Sequence, residues 1–228
     1  MNTRLTGICS MATRHVLADV ADAWRHFGGE VAFEAMAGVE AARRIQDGAT
    51  CDVVVLAAEA IDKLVAAGRI VAGSRTDLAR SGVAIAVRAG APRPAIATET
   101  ALREAVLSAR TVGYSTGPSG VALQHLFERW EIAALIRPRT VQAPPGVPVG
   151  TLIARGDVEL GFQQLSELMH LEGIDVIGPM PPGLDIVTTF SGGICATCTQ
   201  PDTARALLDF IRSPAADDAK RRHGMRPA

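Results

Sequence analysis

Residues 51–68, CDVVVLAAEAIDKLVAAG, contain the pattern that decides the fold. The run VVVLA is continuously apolar, which predicts a strand that is buried on both faces of a sheet. The part that follows has helical spacing and ends at a glycine, which predicts a helix directly after the strand. Strands of this kind occur in parallel sheets whose crossover connections are helices. The segment therefore predicts an α/β fold.

The same alternation of strand and helix extends along the chain in both directions. Upstream, RLTGIC and EVAFEA are β-like, and the first leads into a predicted helix with apolar residues at Leu17, Val20, Trp24 and Phe27. Downstream, the predicted strands begin with an apolar strand at SGVAIAVR and continue with TVGYS, LIRPRTV, VELGF, IDVIGPMPPG and LDIVTTFSGGICA. Helices from about residues 201 and 214 are predicted to close the chain. This order is expected of two lobes joined by strands that cross twice.

Composition excludes several classes of function. The chain has 228 residues, 23 basic against 24 acidic, with 4% aromatics, so it lacks the basic and stacking surfaces of a nucleic-acid-binding protein. No apolar run reaches the length of about 18–20 residues that a membrane span needs. The sequence begins without an export signal, which predicts a cytoplasmic protein as the chain stands, or a periplasmic one if a signal was removed.

Four cysteines are present, and two of them form the motif CATC at Cys195 and Cys198. This spacing is able to support redox or metal chemistry. Because neither a second such pair nor a histidine cluster stands nearby in the sequence, we expect structural thiols, no metal site and no cofactor.

Five segments in a fixed order resemble the molybdate-binding branch of the bacterial type II solute-binding proteins. They are GICS, GVEAARRIQDG, CDVVVLAAEAIDKL, GDVELGFQQLSEL and the closing helices PDTARALLDFIRSPAADDAKRRHGMRPA. The resemblance implies a two-lobed type II periplasmic-binding-protein fold with mixed sheets and two hinge-crossing strands. It implies a first lobe of residues 1–80 plus 185–228, a second lobe of residues 81–184, and closure over a ligand.

The resemblance also implies an anion site at the carboxyl ends of the strands. Ser10 stands between a strand and a helix, where it either caps the helix or helps the free N–H groups to hold an anion; the resemblance favours the anion. Where the branch has a second serine this sequence has Gly38, and where it often has a tyrosine this sequence has Gln164. Losing these hydroxyls should weaken a compact oxyanion site and favour a larger ligand. Ala57 and Val149 would bind through backbone N–H groups.

The second lobe contains a glycine-rich turn that enters a helix, GYSTGPSG. Its candidate ligand-binding residues are Ser115, Thr116, Ser119 and Gly120. The hydroxyls are donors, and glycine allows close approach of the backbone, although an ordinary strand-to-helix loop has the same composition. Arg75 and Ser81 lie near the first predicted crossing between lobes. The Arg75 guanidinium is suited to a carboxylate, but a solvated surface position is an equal alternative.

Three functions stay open at this point. The first is a solute-binding protein that closes on a small anion. An organic di- or tricarboxylate is favoured over molybdate as this anion. If the chain is exported, the protein would serve a transporter permease. The second follows from the resemblance, because some molybdate-binding-like proteins are aconitate isomerases, which need a base for an allylic proton shift. Nothing in the spacing selects that base among Cys9, Glu34, His125, Glu167 and His170. The third, the sensing domain of a transcriptional regulator, is disfavoured because no DNA-binding segment is present in this sequence.

Overall fold

The structure is a computed structural model that describes residues 4–228. The chain forms two compact units. Unit 1 consists of the chain up to Ser81 together with Thr188–Ala228, and unit 2 is Gly82–Val187. The predicted lobe boundaries, after residues 80 and 184, lie one and three residues before these crossing points. Residues 1–3, part of the segment on which the prediction of a cytoplasmic location depends, lie outside the described residues.

The strands of the described range are β1 (Leu5–Ser10), β2 (Val31–Met36), β3 (Val53–Ala57), β4 (Thr76–Arg88), β5 (Val112–Tyr114), β6 (Thr140–Gln142), β7 (Leu160–Gln164), β8 (Ile174–Pro179), β9 (Val187–Ile194) and β10 (Met225–Pro227). The helices are α1 (Arg14–Arg25), α2 (Gly38–Gln46), α3 (Ala58–Ala66), α4 (Glu99–Ser108), α5 (Pro118–Arg129), α6 (Ala133–Ile136), α7 (Val149–Arg155), α8 (Leu165–Leu168), α9 (Pro201–Arg212) and α10 (Asp217–Arg222). Within residues 4–228, no helix combines the length and the apolar character required to cross a membrane.

In unit 1 the sheet order is β2-β1-β3-β9-β4, and β1 pairs in parallel with both β2 and β3. β3 is buried on both faces, as VVVLA predicts. Val53 and Val55 pack in a cluster that includes residues of α1 and α9. Val54 and Leu56 pack in a second cluster that includes residues of α2 and α3. The prediction of a strand buried on both faces is therefore confirmed, and the sheet of this unit is mixed, since β9 is antiparallel to β3.

Unit 2 has the sheet order β4-β7-β5-β6. β5 pairs in parallel with β6 and β7, whereas β7 and β8 are both antiparallel to the second half of β4. Leu102 of α4 and Leu123 of α5 pack with Phe162 in one core cluster. Val149 and Ile153 of α7 belong to another cluster.

The largest error of the sequence prediction falls on LIRPRTV. Its first residues belong to α6 and to a 3-10 turn over Arg137–Arg139, so the strand is only Thr140–Gln142. Pro138 has no N–H for a sheet ladder and its fixed φ suits a turn. Arg139 donates instead to the carbonyl oxygens of Leu107, at 2.8 Å, and Val106, at 3.3 Å, near the end of α4.

Two element ends also differ from the prediction. β4 begins at Thr76, five residues before the apolar run SGVAIAVR suggests, and pairs with β10. α1 ends at Arg25, so Phe27 lies outside the helix and is 68% exposed. Its ring packs against Phe210 at a centroid distance of 5.1 Å.

The glycine in the middle of β5 generates a stability prediction. A Cβ atom at Gly113 would lie 2.7 Å from both methyl groups of Val158, a stiff β-branched side chain in the core. We expect Gly113→Ala to destabilise the protein by about 1–3 kcal/mol through overpacking, measured as a lower midpoint of urea unfolding. Gly82→Ala is the matched control, because a Cβ there meets no atom within 4 Å. A Gly113→Ala protein as stable as this control would contradict the packing described.

Candidate functional site

Three parallel strands of unit 1 end at the same edge of the sheet. Ser10, the last residue of β1, is in register with Met36, the last residue of β2. β3 is paired with β1 on the other side and ends at Ala57. Each strand leads into a helical segment: a 3-10 turn over Met11–Thr13 that continues into α1, then α2 and α3. We call the residues Ser10, Gly38 and Ala57, with the helix starts beside them, the unit 1 edge.

The helix starts at the unit 1 edge lack side-chain caps. The N-cap residues of α2 and α3 are Ala37 and Ala57, and neither makes a side-chain capping hydrogen bond. The first N–H groups of a helix have no partner within the helix, and they carry its positive dipole end. Alanine is among the weakest N-cap residues, by about 1 kcal/mol relative to serine. The edge therefore presents backbone donors that suit an anion.

The Ser10 hydroxyl is placed differently from a helix cap. It makes no capping hydrogen bond to the turn that follows, and Ser10 is 7% exposed. Its oxygen lies 3.5 Å from the Thr13 hydroxyl oxygen, and Thr13 donates to the Ser10 carbonyl at 3.0 Å. Thr13 is a residue of this edge that the sequence analysis missed, although the Ser-x-x-Thr spacing of CSMAT was a signal for it. Ser10 thus occupies the N-cap position of the 3-10 turn without making a side-chain capping hydrogen bond.

Gly38 lies directly beside Ser10. A Cβ atom at Gly38 would be 3.8 Å from the Ser10 Cβ, and the described residues offer no closer contact to it. A serine at this position would thus place a second hydroxyl next to the first. The glycine instead leaves open space at the start of α2.

Arg75 and Ser81 are less directly connected to this edge. The Arg75 guanidinium donates to Asp62 of α3, at 3.0 Å, and to Asp77 of β4, also at 3.0 Å. Asp77 in turn accepts a hydrogen bond of 2.6 Å from the Ser191 hydroxyl. Ser81 is 1% exposed and lies inside β4, paired with β10. Two carboxylates of the protein thus hold Arg75, and its role toward a ligand carboxylate stays a prediction.

Unit 2 repeats the arrangement with the parallel strands β5, β6 and β7. Tyr114, at the end of β5, is in register with Gln142 of β6 and with Phe162, two residues before the end of β7. The unit 2 edge consists of the loop 115–120, which leads into α5, together with Val149 and Gln164. α5 begins with Pro118 after Gly117, without a side-chain cap.

The loop of the unit 2 edge brings the predicted hydroxyls together. The Ser115 and Ser119 oxygens are 3.2 Å apart, and Ser119 is buried. Gly120 packs tightly under them, since a Cβ there would overlap the carbonyl oxygen of Ser115 at 1.8 Å. Thr116 is half-buried in the same loop. The predicted close approach of the backbone at Gly120 is therefore present, since only a glycine fits beside the Ser115 carbonyl oxygen.

The other two residues of the unit 2 edge have internal contacts. The Val149 N–H, predicted as a ligand donor, donates to the Gln163 side-chain oxygen at 2.8 Å. The Gln163 amide group donates to Glu167 at 2.9 Å. Gln164, which ends β7, is 4% exposed. Sequence analysis selected Gln164 and missed Gln163, because the pair GFQQ does not reveal which carboxamide meets the helix start.

Comparison with known proteins identifies the family to which this arrangement belongs. Residues 5–226 match the family of bacterial extracellular solute-binding proteins. The chain belongs to this family. Over 179 residues, which are 77% of this chain and 67% of the relative, it is 40% identical to an aconitate isomerase from Pseudomonas sp.

Solved structures show the same fold. The periplasmic molybdate-binding protein of Azotobacter vinelandii aligns over 97% of this chain and 98% of its own, with a TM-score of 0.81 and 18% identity. The sulfate-binding protein SubI of Mycobacterium tuberculosis aligns over 99% of this chain and 87% of its own, with a TM-score of 0.79 and 18% identity. The prediction of a periplasmic-binding-protein fold of the molybdate-binding type is therefore confirmed.

This member of the solute-binding family places the candidate bases in different surroundings. Glu34 is exposed and forms an ion pair of 2.7 Å with Arg44, and His125 and His170 are exposed. Glu167 is half-buried and accepts the hydrogen bond from Gln163. Glu167 thus contacts Gln163, which accepts the Val149 N–H of the unit 2 edge.

Cys9 does not provide the thiolate considered in the sequence analysis. It is fully buried inside β1, and burial raises the pKa of its thiol to about 12, with a smaller opposing contribution from the hydrogen bond to Thr13. A thiolate next to a helix start would need a lowered pKa. The prediction that the helix end stabilises a Cys9 thiolate is therefore wrong, because the thiol faces the core.

The raised pKa of Cys9 predicts how its reactivity depends on pH. A thiol reacts as the thiolate, so below a pKa of about 12 Cys9 should stay unreactive in the folded protein. We expect Cys9→Ser to leave unchanged the number of thiols that react with Ellman's reagent at pH 8 in native protein. In urea the same variant should show one reactive thiol fewer than the wild type. Native-state labelling of Cys9 at pH 8 as fast as in urea would contradict the burial.

Proposed function

We propose that this solute-binding protein binds a small polycarboxylate, with one carboxylate held at the unit 1 edge. The observation that carries the proposal is the convergence of uncapped helix starts on Ser10, with Gly38 leaving open space beside it. Carboxylates accept hydrogen bonds from helix N–H groups and from hydroxyls, and such bonds to a charged acceptor are the stronger kind.

The composition of the edge favours a carboxylate over a compact tetrahedral oxyanion. At Gly38 a hydroxyl donor is absent, and the space that it would occupy is available to further atoms of a larger ligand. Arg14, the first residue of α1, carries the positive charge nearest to Ser10 in the sequence, and its side chain contacts Met11 beside Ser10. The unit 2 edge offers chemistry of the same kind, with two hydroxyls 3.2 Å apart at a helix start.

A second candidate function is the isomerisation of aconitate. It is favoured by the 40% identity to an aconitate isomerase over 77% of this chain. In such a reaction a base removes a proton from one end of an allylic system and a proton is returned at the other end. Negative charge develops on the adjoining carboxylate, where helix N–H groups are suited to stabilise it. If the chain is exported and no turnover occurs, delivery to a transporter permease is the alternative.

A ligand screen followed by proton NMR tests both functions. Purified protein would be heated with cis- or trans-aconitate, citrate, succinate, molybdate, tungstate or sulfate. We expect the tricarboxylates to raise the melting temperature, because a ligand that binds only the folded state stabilises it by about 2.7 kcal/mol at a hundredfold excess over Kd. A shift with molybdate or tungstate alone would overturn the proposal. Conversion of one aconitate isomer into the other would establish the isomerase, and a stable spectrum with tight binding would establish the receptor.

Removal of the Ser10 hydroxyl should weaken binding of the tricarboxylate. A hydrogen bond to a charged group contributes about 1.5–3 kcal/mol, so we expect Ser10→Ala to raise Kd by about 10- to 100-fold in isothermal titration calorimetry. Ser108→Ala, at an exposed position at the end of α4, is the matched control and should bind like the wild type. Equal affinity of the Ser10→Ala and Ser108→Ala proteins would place the ligand elsewhere.

Addition of a hydroxyl at residue 38 should change the ligand preference. The Cβ of Gly38→Ser lies at an ordinary contact distance, 3.8 Å, from the Ser10 Cβ, so the variant should fold. We expect about tenfold tighter binding of molybdate, from one added donor, and weaker binding of the tricarboxylate, because the open space is filled. Unchanged affinities for both ligands, measured by calorimetry, would show that Gly38 does not set the specificity.

A further inference from the structure

A pair of buried thiols lies in unit 1, apart from both edges. The sulfur atoms of Cys51 and Cys195 are 3.2 Å apart, and the two residues are 4% and 2% exposed. Cys51 comes just before β3 and Cys195 just after β9, so 144 positions of sequence separate them. Cys198 is half-buried in the turn that follows Cys195.

The backbone around the two sulfurs is fixed by contacts that do not involve them. The Cys195 N–H donates to the Asp52 carbonyl at 2.9 Å. The Thr197 hydroxyl donates to the Cys51 carbonyl, also at 2.9 Å. β3 and β9 continue from these residues as an antiparallel pair that begins at Val53 and Ile194. A bond between the sulfurs, about 2.05 Å long, therefore requires side-chain movement more than backbone movement.

We propose that Cys51 and Cys195 form a reversible redox pair, in which oxidation by a peroxide creates a disulfide that joins the two chain segments of unit 1. The only covalent connection between these segments, the chain up to Ser81 and Thr188–Ala228, otherwise runs through unit 2. The oxidised bond would close a loop that contains all of unit 2.

Oxidation of the pair takes place in two steps. The Cys51 thiolate attacks one oxygen of hydrogen peroxide, which breaks the O–O bond, forms a sulfenic acid and releases hydroxide. The Cys195 sulfur then attacks the Cys51 sulfur, forming the S–S bond, and the sulfenic oxygen leaves as water after taking up a proton. Two thiols lose two electrons in total, and one peroxide is reduced to two molecules of water.

The interaction between the two thiols supports a division of roles. The hydrogen bond with Cys195 lowers the pKa of Cys51, against the opposing effect of burial. The same hydrogen bond, with burial, raises the pKa of Cys195. A lowered pKa increases the thiolate fraction near neutral pH, so in this proposal Cys51 is the first nucleophile and Cys195 is the thiol that resolves the sulfenic acid. Peroxide is small enough to suit a pair that is almost fully buried.

Mass spectrometry of the full chain under native conditions tests the pair. After a small excess of hydrogen peroxide, we expect the intact protein to lose two hydrogen atoms and a non-reduced digest to link the Cys51 peptide to the Cys195 peptide. Cys198→Ser should retain this link, whereas Cys51→Ser should lose it. The oxidised wild type should melt about 5 °C higher or more, reversibly with dithiothreitol, because the bond closes a long loop.

Three results would overturn the proposal. One is a link between Cys195 and Cys198, identified by fragmentation of the peptide that holds both. Another is loss of the Cys51 link in the Cys198→Ser protein. The last concerns peroxide conditions that form a disulfide in the urea-unfolded chain. Under these conditions the native protein would keep its free thiols, or would oxidise at one cysteine without forming a disulfide. Digestion of the wild-type and Cys198→Ser proteins distinguishes these results even if a Cys51 variant fails to fold.

Discussion

The parallel pairing of β1 with β2 on one side and β3 on the other is the constraint on which the rest of unit 1 depends. Parallel neighbours require crossover connections, and α1 and α2 provide them. With apolar residues on both faces of β3, the helices have to cover both sides of the sheet. The same pairing brings three strand ends, and so three helix starts, to one edge, where backbone N–H groups have no partner within their helices.

Specificity at this edge is proposed to follow from the groups that it lacks as much as from those that it has. The alanine N-caps leave backbone donors open, and Gly38 leaves space beside Ser10. A site of this composition suits an extended anion whose charge is spread over several carboxylates. The family membership fixes the fold and the general activity of solute binding, and the choice between receptor and isomerase depends on whether the site supplies a base for the proton shift.

The sequence predicts those parts of the fold that local patterns encode, and it fails where distant contacts decide. VVVLA is correctly predicted as a buried strand, and Ser10 is correctly predicted to lie where a strand meets a helix. Both predictions depend only on neighbouring residues. LIRPRTV was misassigned because the contacts of Arg139 with the end of α4, about thirty residues earlier, cannot be read from the segment. For the same reason no local pattern indicates that Cys195 contacts Cys51, 144 positions away.

We propose above all that an anionic ligand is held by the helix starts at the unit 1 edge. The most direct test is a titration of ¹⁵N-labelled protein with cis-aconitate, followed by the chemical shifts of the backbone amides. We expect the resonances of the amides of residues 11–13, 38–40 and 58–60 to shift first and furthest, because their N–H groups would contact the carboxylate. Saturable binding that leaves these nine amides unmoved would contradict it.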